Sequence, residues 1–218
     1  MFNALVLNKK EGENVTANIE NLQVSDLPEE DVLVDVDYST LNYKDSLALT
    51  SSSPIVKSYP MVPGIDLAGT VKETRNDNFK IGEKVILNGF GIGEKYWGGM
   101  AQKARVRGEW LIKLPEIFSQ KQAMAIGTAG YTAMLCILAL EKNQITPDKG
   151  EILVSGASGG VGSVAISILS KLGYEVCAST GRKEHEDYLK YLGAKRVINR
   201  IELSEKGRPL GKEIWAGA

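Results

Sequence analysis

Eight residues, Ser155-Gly156-Ala157-Ser158-Gly159-Gly160-Val161-Gly162, carry the clearest chemistry in this chain. They follow the apolar run Ile152-Leu153-Val154 and open into a stretch whose apolar positions Val161, Val164, Ala165, Ile168, Leu169 and Leu172 recur at three- and four-residue steps, with Gly173 as a left-handed cap. Glycines at a strand-to-helix turn let the backbone approach a ligand closely. The unpaired N–H groups of the helix's first turn, at the positive end of its dipole, then make a seat for a pyrophosphate. A second apolar strand at Glu175-Val176-Cys177-Ala178 supplies the context that a dinucleotide site requires. A glycine-rich turn that binds nothing is the alternative.

The end of that second strand selects the dinucleotide. NADH calls for Asp or Glu about twenty residues after the glycines, to hold the ribose 2′-hydroxyl. Here the segment is Ser179-Thr180-Gly181-Arg182-Lys183. Hydroxyls and two cations suit a 2′-phosphate, and Arg182 offers a planar fork of donors, so NADPH is expected. A solvated charged turn is the other reading of Arg182 and Lys183. Glu184 follows the cations and reads as an acidic residue in the first turn of the next helix.

These groups need a scaffold, and the chain is long enough to give them one. It has 218 residues and a formal charge of −1, which allows two domains. Lys and Arg are interspersed with Asp and Glu, with no basic block of the kind a nucleic-acid binder needs. The start, Met1-Phe2-Asn3-Ala4-Leu5-Val6-Leu7, is too short and too soon followed by charge for a signal peptide, and no apolar run is expected to reach membrane-spanning length. Cys136 and Cys177 lie in apolar segments and read as small buried hydrophobes, which fits a reducing cytoplasm.

Met1 to about Lys113 reads as strands and turns. Val32, Val34, Val36 and Tyr38 alternate with Leu33, Asp35 and Asp37, the pattern of a half-buried strand. Leu67–Val71 and Glu83–Leu87 are further strands, and the glycine- and aromatic-rich stretch from Gly89 to Gly99 is either a loop over a site or a hairpin of a small barrel. Ser119 to Gln122 starts a short helix ended by Ile126-Gly127, and Tyr131 to Leu140 reads as a helix buried on most sides. A domain boundary is expected near residue 118, giving domains 1–118 and 119–218. Glu184 to Leu192 is an amphipathic helix with Tyr188, Leu189 and Leu192 inward, and Arg196–Asn199 is a third strand with Arg200 at its carboxyl end.

Strand, helix, strand, helix, strand is the first half of a doubly wound sheet, in which the glycine-motif strand should be paired on both sides. The sequence is expected to stop before the fourth strand and so to leave Ile152–Val154 an apolar edge, which soluble proteins cover. Residue 218 is accordingly read as the end of a fragment, unless another chain supplies the edge.

Asn42-Tyr43-Lys44-Asp45, the block Pro63 to Val71, Gly127-Thr128-Ala129-Gly130-Tyr131-Thr132-Ala133 and the glycine motif, in this order, resemble the medium-chain dehydrogenase/reductase superfamily. Within it the chain is similar to the zinc-independent quinone-oxidoreductase branch, and to the NADPH-dependent acrylyl-CoA reductases in it. Trp97-Gly98-Gly99, Arg208-Pro209-Leu210 and Trp215-Ala216-Gly217-Ala218 add to that match. The resemblance implies an α/β fold: a GroES-like β-rich N-terminal domain and a Rossmann domain truncated after its first βαβαβ half, with NADPH in the cleft between them. It further implies Tyr43 against the nicotinamide, Ser158, Gly159, Gly160 and Val161 on the pyrophosphate, Thr180, Gly181 and Arg182 on the ribose phosphate, Arg200 beside them, Thr128 as a further contact, and a homodimer.

Zinc needs three or four converging Cys, His or carboxylate ligands. This chain has one histidine, His185, and two cysteines in apolar segments, so no metal site is expected. Without a metal to polarise a carbonyl, such a site favours hydride addition to an activated carbon, and the resemblance implies reduction of the C=C bond of an α,β-unsaturated acyl thioester. Tyr43 and Asn42 are the candidates for positioning and proton delivery, with Asp66 and Lys44 orienting them. Tyr43 as a packing aromatic and Asp45 and Asp66 as turn caps are the alternatives. Competing functions are a quinone reductase and a non-catalytic NADPH-binding module. The Tyr191…Lys195 spacing of a short-chain dehydrogenase falls too near the glycines to serve.

Overall fold

Residues 1–204 and 213–218 are described by a computed structural model; Arg208-Pro209-Leu210 lies outside them. Two compact units, Met1–Thr128 and Ala129–Ala218, divide the chain.

In the first unit, β1 (Phe2–Asn8) and β2 (Thr16–Leu22) form an antiparallel pair running from Phe2 opposite Leu22 to Asn8 opposite Thr16. β3 (Val32–Tyr38), α1 (Tyr43–Thr50), β4 (Asp66–Thr74), β5 (Lys84–Asn88), β6 (Lys103–Val106) and β7 (Ile112–Lys113) follow. The five strands among these make an antiparallel sheet in the order β6-β3-β4-β5-β7. The alternation in β3 predicts one covered face, yet Val32, Leu33 and Val34 are all buried. Val32 and Val34 pack with Leu67, Val71, Val85 and Leu87, whereas Leu33 packs on the opposite side with Phe2, Ala4 and Val6 of β1. The stretch from Gly89 to Gly99 buries Ile92 completely in the first of these clusters.

Helix α2 (Gln120–Lys142) crosses the division between the units and is interrupted at Gly127, whose φ of 52° and ψ of −165° break it into the two helices the sequence suggests. By length and apolar composition α2 reaches membrane-spanning range, contrary to expectation, although the left-handed break leaves neither piece long enough to span. Its second piece is not buried on most sides. Ala133 and Ile137 enter the core, while Tyr131, Met134, Leu135 and Leu138 are exposed, because only one stripe of the helix faces other described residues.

In the second unit, β8 (Ile152–Val154), α3 (Gly160–Lys171), β9 (Val176–Thr180), α4 (Glu186–Tyr191) and β10 (Arg196–Asn199) build a parallel sheet in the order β10-β9-β8. The buried face of α3 is Gly162, Ala165, Ile166 and Leu169; Val161 and Leu172, expected on it, stand at its margin and are exposed. Tyr188 is likewise exposed, and Leu189 alone of α4 is fully buried, since a six-residue helix covers its strand with little more than one side chain. Cys177 is buried in β9, where burial raises its thiol pKa, but Cys136 is exposed on the uncovered side of α2, which corrects the expectation that both are core residues.

The free edge of β8 is also not bare. Gly217 pairs with Ile152 in parallel, Leu153 N–H donates to the Gly217 carbonyl at 2.9 Å, and Ala216 N–H donates to Glu151 at 2.9 Å. Ala216 and Gly217 thus cover part of the β8 edge by an isolated bridge, while the described sheet keeps the three strands expected of it. Trp215 packs with Leu153, Cys177 and Ile198 on one face of the sheet.

Candidate functional site

In the first unit the candidate residues gather on Asp66, which is fully buried at the start of β4. Its Oδ2 accepts from Asn42 Nδ2 at 2.8 Å and from the Thr128 backbone N–H at 2.9 Å. Its Oδ1 accepts from Asn88 Nδ2 at 2.7 Å and from the Thr128 hydroxyl at 2.5 Å. Four donors occupy the acceptor positions of its two oxygens, so Asp66 is committed to holding its neighbours. Asn88 was missed in the sequence. It stands opposite Asp66 in the β4–β5 register, and that pairing is visible only once the sheet is formed.

Asn42 is held from a second side. It caps α1, and its backbone N–H donates to Asp45 Oδ2 at 2.8 Å while Asp45 Oδ1 accepts from Ile65 N–H at 3.1 Å. Asp45 is buried, and desolvation raises its pKa against the lowering effect of these hydrogen bonds. Tyr43, the first residue of the helix, is 78% exposed, and its phenol has no hydrogen-bond partner among the described residues. Lys44 is not directed at this group: its ammonium pairs with Glu94 at 2.8 Å. Among the described residues no three His, Cys, Asp or Glu side chains come together as a metal site.

In the second unit the glycine motif forms the expected turn. Gly156 has a φ of 56°, and a Cβ on Gly162 would stand 2.6 Å from the Gly156 carbonyl oxygen, so the helix meets the loop only without a side chain there. The N-cap is Gly159, and the N–H groups of Gly160, Val161 and Gly162 find no acceptor among the described residues. They are the free donors of a helix start.

A cavity of about 700 Å³ lies beside this turn, lined by Ser155, Gly156, Ser158, Gly159, Ser179, Thr180, Gly181, Arg182, Arg200 and Leu203. The Ser158 and Thr180 hydroxyls are 3.1 Å apart, and Arg182 N–H donates to Thr180 Oγ1 at 3.1 Å. Arg105, Arg107 and Arg196 each pair with a carboxylate, whereas neither Arg182 nor Arg200 has one among the described residues. Two guanidiniums with no carboxylate partner among the described residues, two hydroxyls and the N-cap Gly159 on one cavity, with the free N–H groups of the next three residues adjoining it in sequence, fit a ligand carrying several phosphate groups. Tyr191 is fully turned to solvent and Lys195 pairs with Glu175, so that pair shares no site.

Residues 28–116 match the family model for the alcohol dehydrogenase GroES-like domain. Over 99% of its length the chain is 52% identical to a protein of Escherichia coli K12 named probable acrylyl-CoA reductase AcuI, of which it spans 66%. It is 44% identical to a Bacillus subtilis protein named putative quinone oxidoreductase YhfP, again spanning 66% of it. The crystal structure of that protein with NAD bound superposes with a TM-score of 0.94 over 98% of this chain and 65% of that one. The yhdH oxidoreductase of Salmonella enterica in complex with NADP, 50% identical, gives a TM-score of 0.95 over 98% of this chain and 65% of that one.

Proposed function

We propose that this chain, which belongs to the medium-chain dehydrogenase/reductase superfamily, is part of a zinc-independent, NADPH-dependent reductase acting on the C=C bond of an α,β-unsaturated acyl thioester of the acrylyl-CoA type. The observation that carries the cofactor half is the cavity at the glycine turn, which Arg182 and Arg200 line together with Ser158 and Thr180, neither arginine having a carboxylate partner among the described residues. The free N–H groups from Gly160 to Gly162 would hold the pyrophosphate, and the two guanidiniums the 2′-phosphate.

When bound, NADPH supplies the hydride that reaches the β-carbon. Charge then collects on the thioester oxygen, and a proton is needed at the α-carbon. The Thr128 hydroxyl and one Asn42 N–H already donate to Asp66, so the phenol of Tyr43, without a partner among the described residues, is the better donor of the candidates. Asn42 fixes the start of α1 and thereby where Tyr43 stands. Free cysteines suit a reducing cytoplasm, and a homodimer belongs to the same reading.

The resemblance to the Bacillus protein named a putative quinone oxidoreductase supports a second reading, with a quinone in place of the thioester. Titration with NADPH and NADH tests the cofactor: tighter NADPH binding is expected, and equal affinities overturn it. Steady-state NADPH oxidation with acryloyl-CoA against a quinone tests the substrate, with turnover on the quinone alone deciding for the second reading.

A further inference from the structure

Gly181 stands just past β9 with a φ outside the left-handed region, so its backbone does not call for glycine. The space around it does. A Cβ at this position would lie 2.8 Å from Nε, 3.1 Å from Cδ and 3.2 Å from Cζ of Arg200. Arg200 therefore crosses the bare Cα of Gly181. The parallel register explains why the two meet: Asn199 is opposite Thr180, and the next residue of each chain segment is Arg200 and Gly181. The turn that launches Arg200 is pinned by Ile201 N–H donating to Asn199 Oδ1 at 3.0 Å and by Asn199 N–H donating to Glu202 Oε1 at 2.9 Å.

We propose that Gly181 is a positioning residue: its missing side chain is the platform on which the Arg200 guanidinium rests against the cavity, and it thereby sets the preference for a 2′-phosphorylated dinucleotide over its unphosphorylated form. This deepens the cofactor reading above and rests on it. A methyl group at residue 181 lifts the guanidinium off the loop while leaving the helix start of α3 untouched, so the extra phosphate loses a charge-assisted partner and the pyrophosphate keeps its own.

Equilibrium titrations with NADPH and NADH of the wild type, Gly181→Ala, Arg200→Ala and the double variant test it. Gly181→Ala is expected to weaken NADPH binding about tenfold with NADH affinity unchanged, the loss of roughly one charged hydrogen bond. In the Arg200→Ala background the same change should add nothing, because Gly181 acts through that side chain alone. Gly181→Ser, bulkier at the same point, should lose at least as much as Gly181→Ala. An unchanged NADPH affinity in Gly181→Ala, an equal loss for both nucleotides, or a full additional loss in the double variant overturns the proposal. Retained NADH binding reports that the glycine turn is folded. If the wild type binds both nucleotides equally, the cofactor reading fails first and this inference falls with it.

Discussion

Asp66 shows how much one buried carboxylate can organise. Replacing it by alanine leaves the Asn42 and Asn88 amides and both Thr128 donors without their acceptor. A loss of about 2–4 kcal/mol is expected in urea unfolding, since buried unmet donors cost more than a made bond gives. Tyr43 is the opposite case. With its ring largely in solvent, Tyr43→Phe should change stability by less than about 0.5 kcal/mol. If its phenol delivers the proton, turnover on acryloyl-CoA falls by about 10²-fold or more, and unchanged turnover removes the role. Asp45 gives a pH signature. Its folded pKa is raised above the unfolded value by burial, so between those two values the native state holds more of the proton and stability falls as pH rises. Asp45→Asn should flatten that part of the stability–pH curve, measured by urea titrations at stepped pH.

At the scale of elements, the break in α2 is the point where backbone conformation matters most. Gly127 adopts a φ of 52° with ψ near −165°, and a Cβ there would lie 3.0 Å from Thr40 Cγ2 and 3.2 Å from Asp66 Oδ2. Gly127→Ala should cost about 1–3 kcal/mol from strain alone and loosen the bond from the Thr128 backbone N–H to Asp66, seen as faster exchange of the Thr128 amide. The break itself was legible, because Gly127 interrupts the helical pattern. Its purpose was not, because the carboxylate that receives Thr128 is 62 residues away in sequence. The glycine turn of α3 could be read almost completely, since its strand, loop and helix are consecutive. The β1–β2 pair and the Asn88 contact depend on long-range register, which local pattern does not encode.

At the scale of the whole chain, uncovered apolar surface is the main feature. A groove of about 430 Å³ is lined by Cys136, Ile137, Leu140, Leu153, Val154 and Ala218 among others, next to the exposed Tyr131, Met134, Leu135 and Leu138. Such a patch should bind a hydrophobic dye in the folded chain, measured as enhanced dye fluorescence that is lost on unfolding in urea. Deleting 215–218 removes two backbone hydrogen bonds and the Trp215 packing from β8 and its sheet. The Leu153 amide should then lose its exchange protection, with stability down by about 1–3 kcal/mol.

The sequence alone determined the order of elements in the second unit, the glycine turn that opens α3 and the cationic strand end, because each is a contiguous pattern whose period and glycine placement act locally. The tertiary structure alone decided that Asp66 gathers Asn42, Asn88 and Thr128, that Arg200 rests on Gly181, and that the final residues pair with β8. Those outcomes arise where segments far apart in the chain compete for the same lone pair, the same space or the same strand edge, and such competition is settled only when the whole chain has packed.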